Sequence, residues 1–454
     1  MTRRPTGMTA FVIVWLGQVV SLIGTSMTRF ALIFWAYRET GQATSLALVG
    51  FFSFGPLVLL SPVAGALVDR WNRKLVMMLS DLGAAAATLA LLGLYLTGNL
   101  ELRYVYMAAV FAGAFEAFQF PAYSAAISIL VPSRHFGRAN GLLSLADAGA
   151  AILAPPLAAV LLTVIGVGGI LAIDIMTAGV AIVALLAVHI PQPARSEAGA
   201  EGSGSLLAEA VYGFRYIAAR PSLLGLQLVF FMVNLVGTLA HTLQPAMILA
   251  RTGSNQVVLG AVESAAGFGG VAGGLLMSAW GGPARRVHGV LIGMILDGLL
   301  GILPMGLGRN PWTWSAAAFV STMFLPVING SNQAIWQAKV HPDVQGRVFA
   351  ARRMIAQITA PLAMLIAGPL ADRVLEPAMA PGGSLAGALG PLFGTGPGAG
   401  MGVLIAIAGV LSAGVGLGGY LFPQVRGAED RLPDVAGETP PGAGPQPAAA
   451  PPAG

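Results

Sequence analysis

Cysteine is absent from the 454 residues, and charged side chains occupy only 9% of them. Without thiols there is no disulfide framework, no Cys-ligated zinc and no thiol catalysis, and the redox compartment stays open. Soluble domains carry charge at roughly a quarter of their positions, so water is not the solvent for most of this surface. Lysine occurs only at Lys74 and Lys339. Catalytic signatures are missing as well: there is no glycine loop ending in Lys-Ser/Thr for ATP phosphates, no HExxH and no GxSxG. An enzyme, a cofactor and a metal site are therefore not expected.

What the sequence has instead is apolar length. Hydrophobic residues make up 56% of the chain and its mean hydropathy is +0.77. The apolar runs reach about 20 residues or more, the length of helix that crosses a hydrocarbon core of roughly 30 Å. They do not alternate polar and apolar residues as barrel strands would. Twelve spans are predicted, at about 10–36, 44–67, 75–97, 104–128, 139–164, 168–190, 222–248, 256–280, 288–308, 313–338, 353–371 and 400–422. The expected fold class is an all-α membrane protein. The net charge of +5 is a topology signal rather than a nucleic-acid footprint, because the cations sit in short loops between spans. With the amino terminus inside, 18 of the 24 basic residues fall on the inner side. Both termini are thus expected to be cytoplasmic.

Residues 1–190 form a first predicted half and 222–422 a second. The linker between them, 191–221, opens with the polar Pro191–Gly204 stretch and continues as an amphipathic segment expected along the inner membrane surface. From 423 to 454 the chain is rich in Pro, Gly and Ala, and a disordered cytoplasmic tail is expected. An internal echo supports duplication. Gly65-Ala-Leu-Val-Asp69-Arg-Trp71 returns as Gly274-Leu-Leu-Met-Ser278-Ala-Trp280, and Val131 with Gly137-Arg138 returns as Val340 with Gly346-Arg347, all at an offset of 209 residues. Duplicated helical halves are how many transporters build two bundles around one site.

The stretch Gly65-Ala-Leu-Val-Asp69-Arg70-Trp-Asn-Arg73-Lys74 between spans 2 and 3 resembles the signature loop of the major facilitator superfamily, with Asn72 where a glycine is usual. Ala-Ile-Asp174, Glu209 with Gly213-Phe-Arg-Tyr216, and Asn329-Gly-Ser-Asn-Gln333-Ala-Ile-Trp336-Gln337 are similar to the macrolide-efflux and siderophore-export branch. The resemblance implies two pseudo-symmetric six-helix bundles, a bacterial inner-membrane location and secondary-active export. The usual arginine of span 4 is absent, and Ala154-Pro155-Pro156-Leu-Ala-Ala159 replaces a glycine-flanked antiporter motif in span 5.

Polar stripes at helical spacing supply candidate cavity residues: Gln18, Ser21, Thr25 and Arg29 in span 1, Glu116, Gln119 and Tyr123 in span 4, Asn234, Thr238 and His241 in span 7, and Asn329, Gln333, Trp336 and Gln337 in span 10. In the resembled family these four helices line the central cavity. Intramembrane ionisable groups default to functional hypotheses, so Arg29, Glu116 and His241 are the proton-coupling candidates. A permanent ion pair between Arg29 and Glu116, or a simple polar contact for His241, stands beside that reading. In the signature loop, Asp69 is expected to meet the start of span 11, where Arg352 and Arg353 lie, and to latch the inner side. Gly65, Arg70, Arg73 and Lys74 complete that gating loop, whose cations also suit anionic lipid. Asp81, Asp174 and Asp297 are expected to be peripheral and structural. Asp147 and Glu263, at the interface of the halves, either latch or couple. The glycines of span 8, Gly267 to Gly274, are read as helix packing.

The resulting expectation is a monomeric, proton-coupled exporter of amphipathic small molecules, working by alternating access in contact with membrane lipid and without nucleic acid. An importer of a nutrient is the alternative. A membrane sensor would need a folded output domain, and an enzyme on lipid-linked substrates would need a clustered acidic or metal-ligand set.

Overall fold

The computed structural model describes residues 5–131, 136–190, 206–340 and 342–432, and among them the apolar runs become helices with no strand. The amino half holds α1 (Gly7–Thr40), α2 (Ala43–Arg70), α3 (Arg73–Leu96), α4 (Leu102–Leu130), α5 (Phe136–Val164) and α6 (Gly166–Ala187). The carboxy half holds α7 (Pro221–Arg251), α8 (Gln256–Trp280), α9 (Arg286–Leu307), α10 (Pro311–Lys339), α11 (Pro342–Leu370) and α12 (Ala399–Leu421). Each of these twelve contains a stretch long and apolar enough to cross a membrane. Span 11 is longer than predicted: α11 starts at Pro342 and runs on through a π turn, Ala371–Leu375, to Met379. Its polar first turns, with Arg352 and Arg353, are helical although they are not apolar.

Local sequence explains the breaks. Gly41 ends α1 in the left-handed conformation at φ 64°, and its N–H donates to the Tyr37 carbonyl. Asn72, in the position where the resembled loop has glycine, caps α3 by accepting from the Leu75 N–H at 3.2 Å. The Lys74 ammonium donates to the Val188 carbonyl at the end of α6, at 2.8 Å. Asn255 and Asn310 cap α8 and α10 in the same way.

Chain direction alternates, so the molecule has two faces. One, called here the basic face, holds the starts of α1, α3, α5, α7, α9 and α11; the opposite face holds the starts of the even-numbered helices. Within each half the helices pack closely, as α1 on α6, α2 on α4, and α8 on α10. The halves meet chiefly where α2 packs on α11 and α5 packs on α8, with lesser contacts of α1 and α2 on α7. Small residues make these approaches possible, since a Cβ at Gly368 would strike the Thr44 backbone and one at Gly260 would lie 2.9 Å from the Ala159 side chain.

The linker helix Leu206–Ala218 packs on α11, with Ile217 buried among Leu223, Leu226 and Val348. The expected disorder from residue 423 is corrected in its first part. Residues Pro423–Arg426 and Ala428–Arg431 form two helical turns docked on the basic face. There Glu429 accepts from the Val287 N–H at 2.9 Å, Asp430 pairs with Arg285 at 3.3 Å, and the Lys339 ammonium binds the Glu429 and Leu432 carbonyls. The composition of the segment hid these contacts because the partner cations lie far away in sequence. Residues 433–454 lie outside the described residues.

Candidate functional site

Two cavities dominate the interior. The larger, about 830 Å³, lies between the halves. Ser26 and Arg29 of α1 and Ser144, Asp147 and Pro155 of α5 line it on one side. Glu263, Gly267 and Gly274 of α8 and Thr322, Pro326 and Asn329 of α10 line it on the other. These positions lie around the middle of the four helices, with Ser144, Gly274 and Asn329 on the side of the basic face and Arg29 and Glu263 on the other. Toward the opposite face the halves are joined. Asp372, in the π turn after α11, accepts from the Ala43 N–H at 3.0 Å, the Thr44 N–H at 2.7 Å and the Thr44 hydroxyl at 2.5 Å. A carboxylate is thereby placed on the first turn of α2, where free N–H groups and the helix dipole favour it. Below this contact the Ser264 hydroxyl of α8 donates to the Ile152 carbonyl of α5 at 3.1 Å. On that face the chamber is thus closed by contacts between the two halves.

The second cavity, about 220 Å³, lies wholly within the amino half, between α1, α2, α3, α4 and α6. Gln18, Ser21, Thr25, Arg29, Glu116 and Gln119 line it, together with Asp81 and Asp174. Gln18 donates to Asp81 Oδ2 and Gln119 to Asp81 Oδ1, both at 2.9 Å, and Gln119 also donates to Gln18 Oε1 at 3.0 Å. Asp174 accepts from the Thr25 and Thr88 hydroxyls at 3.0 Å each. Arg29 and Glu116 form the expected pair at 3.6 Å, with both side chains about half exposed, at 48% and 50%. Arg29 lines both cavities.

The structure corrects several expectations. Asp81 and Asp174 are not peripheral: their carboxyls turn inward and organise the amino-half cavity. Asp297 alone of the three keeps to a plain structural contact, accepting from the Ser321 hydroxyl at 2.5 Å. Helices α4 and α7 do not line the large chamber, which α1, α5, α8 and α10 share. Polar side chains inside a membrane bond to the nearest partner, and for Gln119 that partner lies within its own bundle. Tyr123 packs with the core at the basic end of the amino half. Asn234 donates to the Phe230 carbonyl of its own helix at 2.8 Å, and Thr238 accepts through its carbonyl from Thr242 at 2.8 Å. His241 borders a void of only about 10 Å³ inside the carboxy half, beside Gln244 and Ser321.

Trp336 is fully buried, donates to Asn332 Oδ1 at 3.0 Å and belongs to a carboxy-half core, so it lines no chamber. Gln333 accepts from Arg352 at 2.7 Å, and the Arg352 guanidinium lies 5.3 Å from the Trp336 ring centre. Arg353 reaches across the halves to the Phe120 ring of α4, at 5.5 Å. Gln337 is exposed on α10, whereas Asn329 does face the chamber. The side chains of Gly65, Asp69 and Arg70 lie outside the described residues, so the expected Asp69 latch has no geometry here; Arg73 and Lys74 sit at the start of α3.

Sequence reasoning left Asp147 and Glu263 out of the cavity set, although both are intramembrane carboxyls, and that was the available signal. Neither belongs to a polar stripe, because each helix presents a single acid among small residues.

Comparison with known proteins agrees with this architecture. Macrolide efflux protein A of Streptococcus pyogenes is 26% identical over 370 residues, covering 80% of this chain and 90% of the relative. The multidrug efflux pump Tap of Mycolicibacterium fortuitum is 27% identical, covering 77% of this chain and 86% of that protein. Among solved structures, the nucleoside transporter NupG superposes with a TM-score of 0.67 at 11% identity, over 90% of this chain and 99% of NupG. A bacterial homologue of the iron transporter ferroportin, in an inward-facing state, gives 0.63 at 15% identity, over 91% and 99%. At those identities the structures speak for the fold alone. The sequence profile of the Major Facilitator Superfamily matches residues 14–364. Two six-helix halves around a chamber, with a profile match across most of the chain, place this multi-pass membrane transporter in the Major Facilitator Superfamily.

Proposed function

We propose that this protein exports small amphipathic molecules carrying a basic or uncharged polar group, by alternating access, in exchange for inward-moving protons. The observation that carries the reading is the 830 Å³ chamber between the halves, closed on one face by Asp372 on the start of α2. Such a volume falls within the range of small-molecule sites. Its wall is mostly apolar and small, with Asp147 and Glu263 against a single Arg29, a balance that favours a cationic group in the occupant. The positive-inside rule makes the basic face cytoplasmic, in a bacterial plasma membrane, with both termini inside. In this reading the chamber loads from the cytoplasm, because the Asp372 contacts that join the halves lie on the other face. The names of the two efflux relatives support the direction of transport. In this reading the working unit is a monomer in contact with lipid.

Arg29, paired with Glu116, lines both the chamber and the amino-half cavity, so a change of charge in the cavity reaches the chamber through this pair. To test this, the purified chain is placed in vesicles and flux of a labelled macrolide is compared with and without a pH gradient. Gradient-driven flux in the wild type and its loss in Glu116→Gln are expected. Flux indifferent to the gradient would end the proton reading, and uptake into intact cells that rises with expression would assign import instead.

A further inference from the structure

Charge inside the amino-half cavity does not balance. Arg29 from α1 and Glu116 from α4 neutralise one another. Asp81 from α3 and Asp174 from α6 form no ion pair among the described residues, and α2 contributes only uncharged groups such as Val49 and Ser53. Two carboxylates without a cation are costly inside a membrane, and each loses its charge on taking up a proton.

Every hydrogen-bond partner of these two carboxyls is able to serve either protonation state. Asp81 is held by the side-chain amides of Gln18 and Gln119, and Asp174 by the hydroxyls of Thr25 and Thr88. An amide turned by half a rotation presents its oxygen in place of its nitrogen, and a hydroxyl donates or accepts as it turns. Among the described residues no arginine, lysine or backbone N–H fixes either carboxyl as the anion. The acceptor that a protonated Asp81 needs is already present, because Gln119 Oε1 is buried with no partner. Beside Asp174 the Thr28 hydroxyl, in a residue 7% exposed and lining the same cavity, also makes no hydrogen bond of good geometry. A metal cation fits less well. The amide N–H groups occupy the Asp81 oxygens, and no group of three or more His, Cys, Asp or Glu able to hold a metal occurs among the described residues.

We propose that Asp81 and Asp174 carry the coupling protons, one each, in a bundle cavity separate from the substrate chamber. The inference rests on the proton-coupled export reading and deepens it. Each carboxyl takes one proton from external water in the outward-open state and releases it to the cytoplasm in the inward-open state. Arg29 transmits the change, since it lines both cavities. With both carboxyls ionised, its guanidinium is drawn into the bundle and the chamber is left negative for a cationic substrate. With both protonated, that pull is gone, and the guanidinium repels the cation from the chamber.

Two measurements on the full-length protein decide the matter. Infrared difference spectra of membrane-reconstituted protein between pH 8 and pH 5 read the C=O band of protonated carboxyl groups, with no substrate needed. We expect that band in the wild type, a smaller band in Asp81→Asn and in Asp174→Asn, and its return in Asp81→Glu. The second measurement is the ratio of pH-gradient-driven accumulation to exchange of a labelled macrolide, expected to fall about tenfold or more in each Asn variant. An unchanged band in the double variant, an unchanged ratio, or wild-type accumulation driven by a sodium gradient in place of a pH gradient would overturn the proposal. If the wild type moves no macrolide at all, the export reading fails, and the infrared band still judges the proton site.

Discussion

Arg251 illustrates how a charge is kept at the edge of the membrane. It ends α7, and its guanidinium donates to the Gly398 carbonyl at 3.2 Å, the Phe393 carbonyl at 3.1 Å and the Gly308 carbonyl. Glu376 secures the same corner, accepting from the N–H groups of Gly398 at 3.0 Å and Met401 at 2.8 Å at the start of α12. Removing one partner of such a network strands buried carbonyls, at about 1–3 kcal/mol for each charged hydrogen bond. Arg251→Ala is therefore expected to lower the thermal midpoint of the purified protein by several degrees, while Arg103→Ala, whose pairing with Glu101 is exposed, leaves it nearly unchanged. At this scale the sequence offered types but not partners. Arg29 and Glu116, expected as a pair, do stand 3.6 Å apart, each being the one Asp, Glu, Lys or Arg in the middle of its membrane helix. Gln18 and Gln119 gave no sign that Asp81 was their common target.

Among elements, the packing of α8 on α10 turns on glycine. A Cβ at Gly269 would strike the Phe319 carbonyl and one at Gly273 the Met323 carbonyl, so the two helices meet backbone to backbone. The glycine run of α8 was legible as a packing surface, since a lipid-embedded helix offers few other reasons for so many small residues. Which helix would cover it was not legible. Gly273→Val is expected to destabilise the fold by roughly 1–3 kcal/mol or more through overpacking against rigid backbone, measured as a loss of monodisperse protein in detergent. Gly270→Ala, whose Cβ would meet open space, is expected to be tolerated. Asp372 belongs to this scale too: its π turn directs the carboxylate at α2, a geometry with no counterpart in the helical pattern.

For the whole molecule, the balance between the Asp372 face closed and the same face open is the functional quantity. The Asp372 contacts exist only while α2 and α11 are together. Losing two or three hydrogen bonds at about 1 kcal/mol each shifts a two-state equilibrium by roughly 30-fold to 150-fold. Asp372→Ala is therefore expected to populate a state open on the face that holds Gly41 and Gly253. The native chain has no cysteine, so spin labels on cysteines placed at Glu39 and Ser254 report that distance without background. A longer distance in the variant is the expected outcome, and an unchanged distribution would show that the carboxylate does not hold this face closed.

The sequence alone determined that this chain is a helical membrane protein of twelve spans in two related halves. Hydrocarbon leaves the backbone no other way to satisfy its hydrogen bonds, and a run of apolar residues records that constraint locally. Its signature loop and its intramembrane charges also located the class of function. Only the tertiary structure decided which polar residues face the chamber, which face each other inside one bundle, and which face of the protein is closed. Those outcomes depend on contacts between helices hundreds of residues apart, such as Thr44 with Asp372 and Thr25 with Asp174. A helical repeat specifies the side of a helix on which a residue lies and says nothing of what stands opposite.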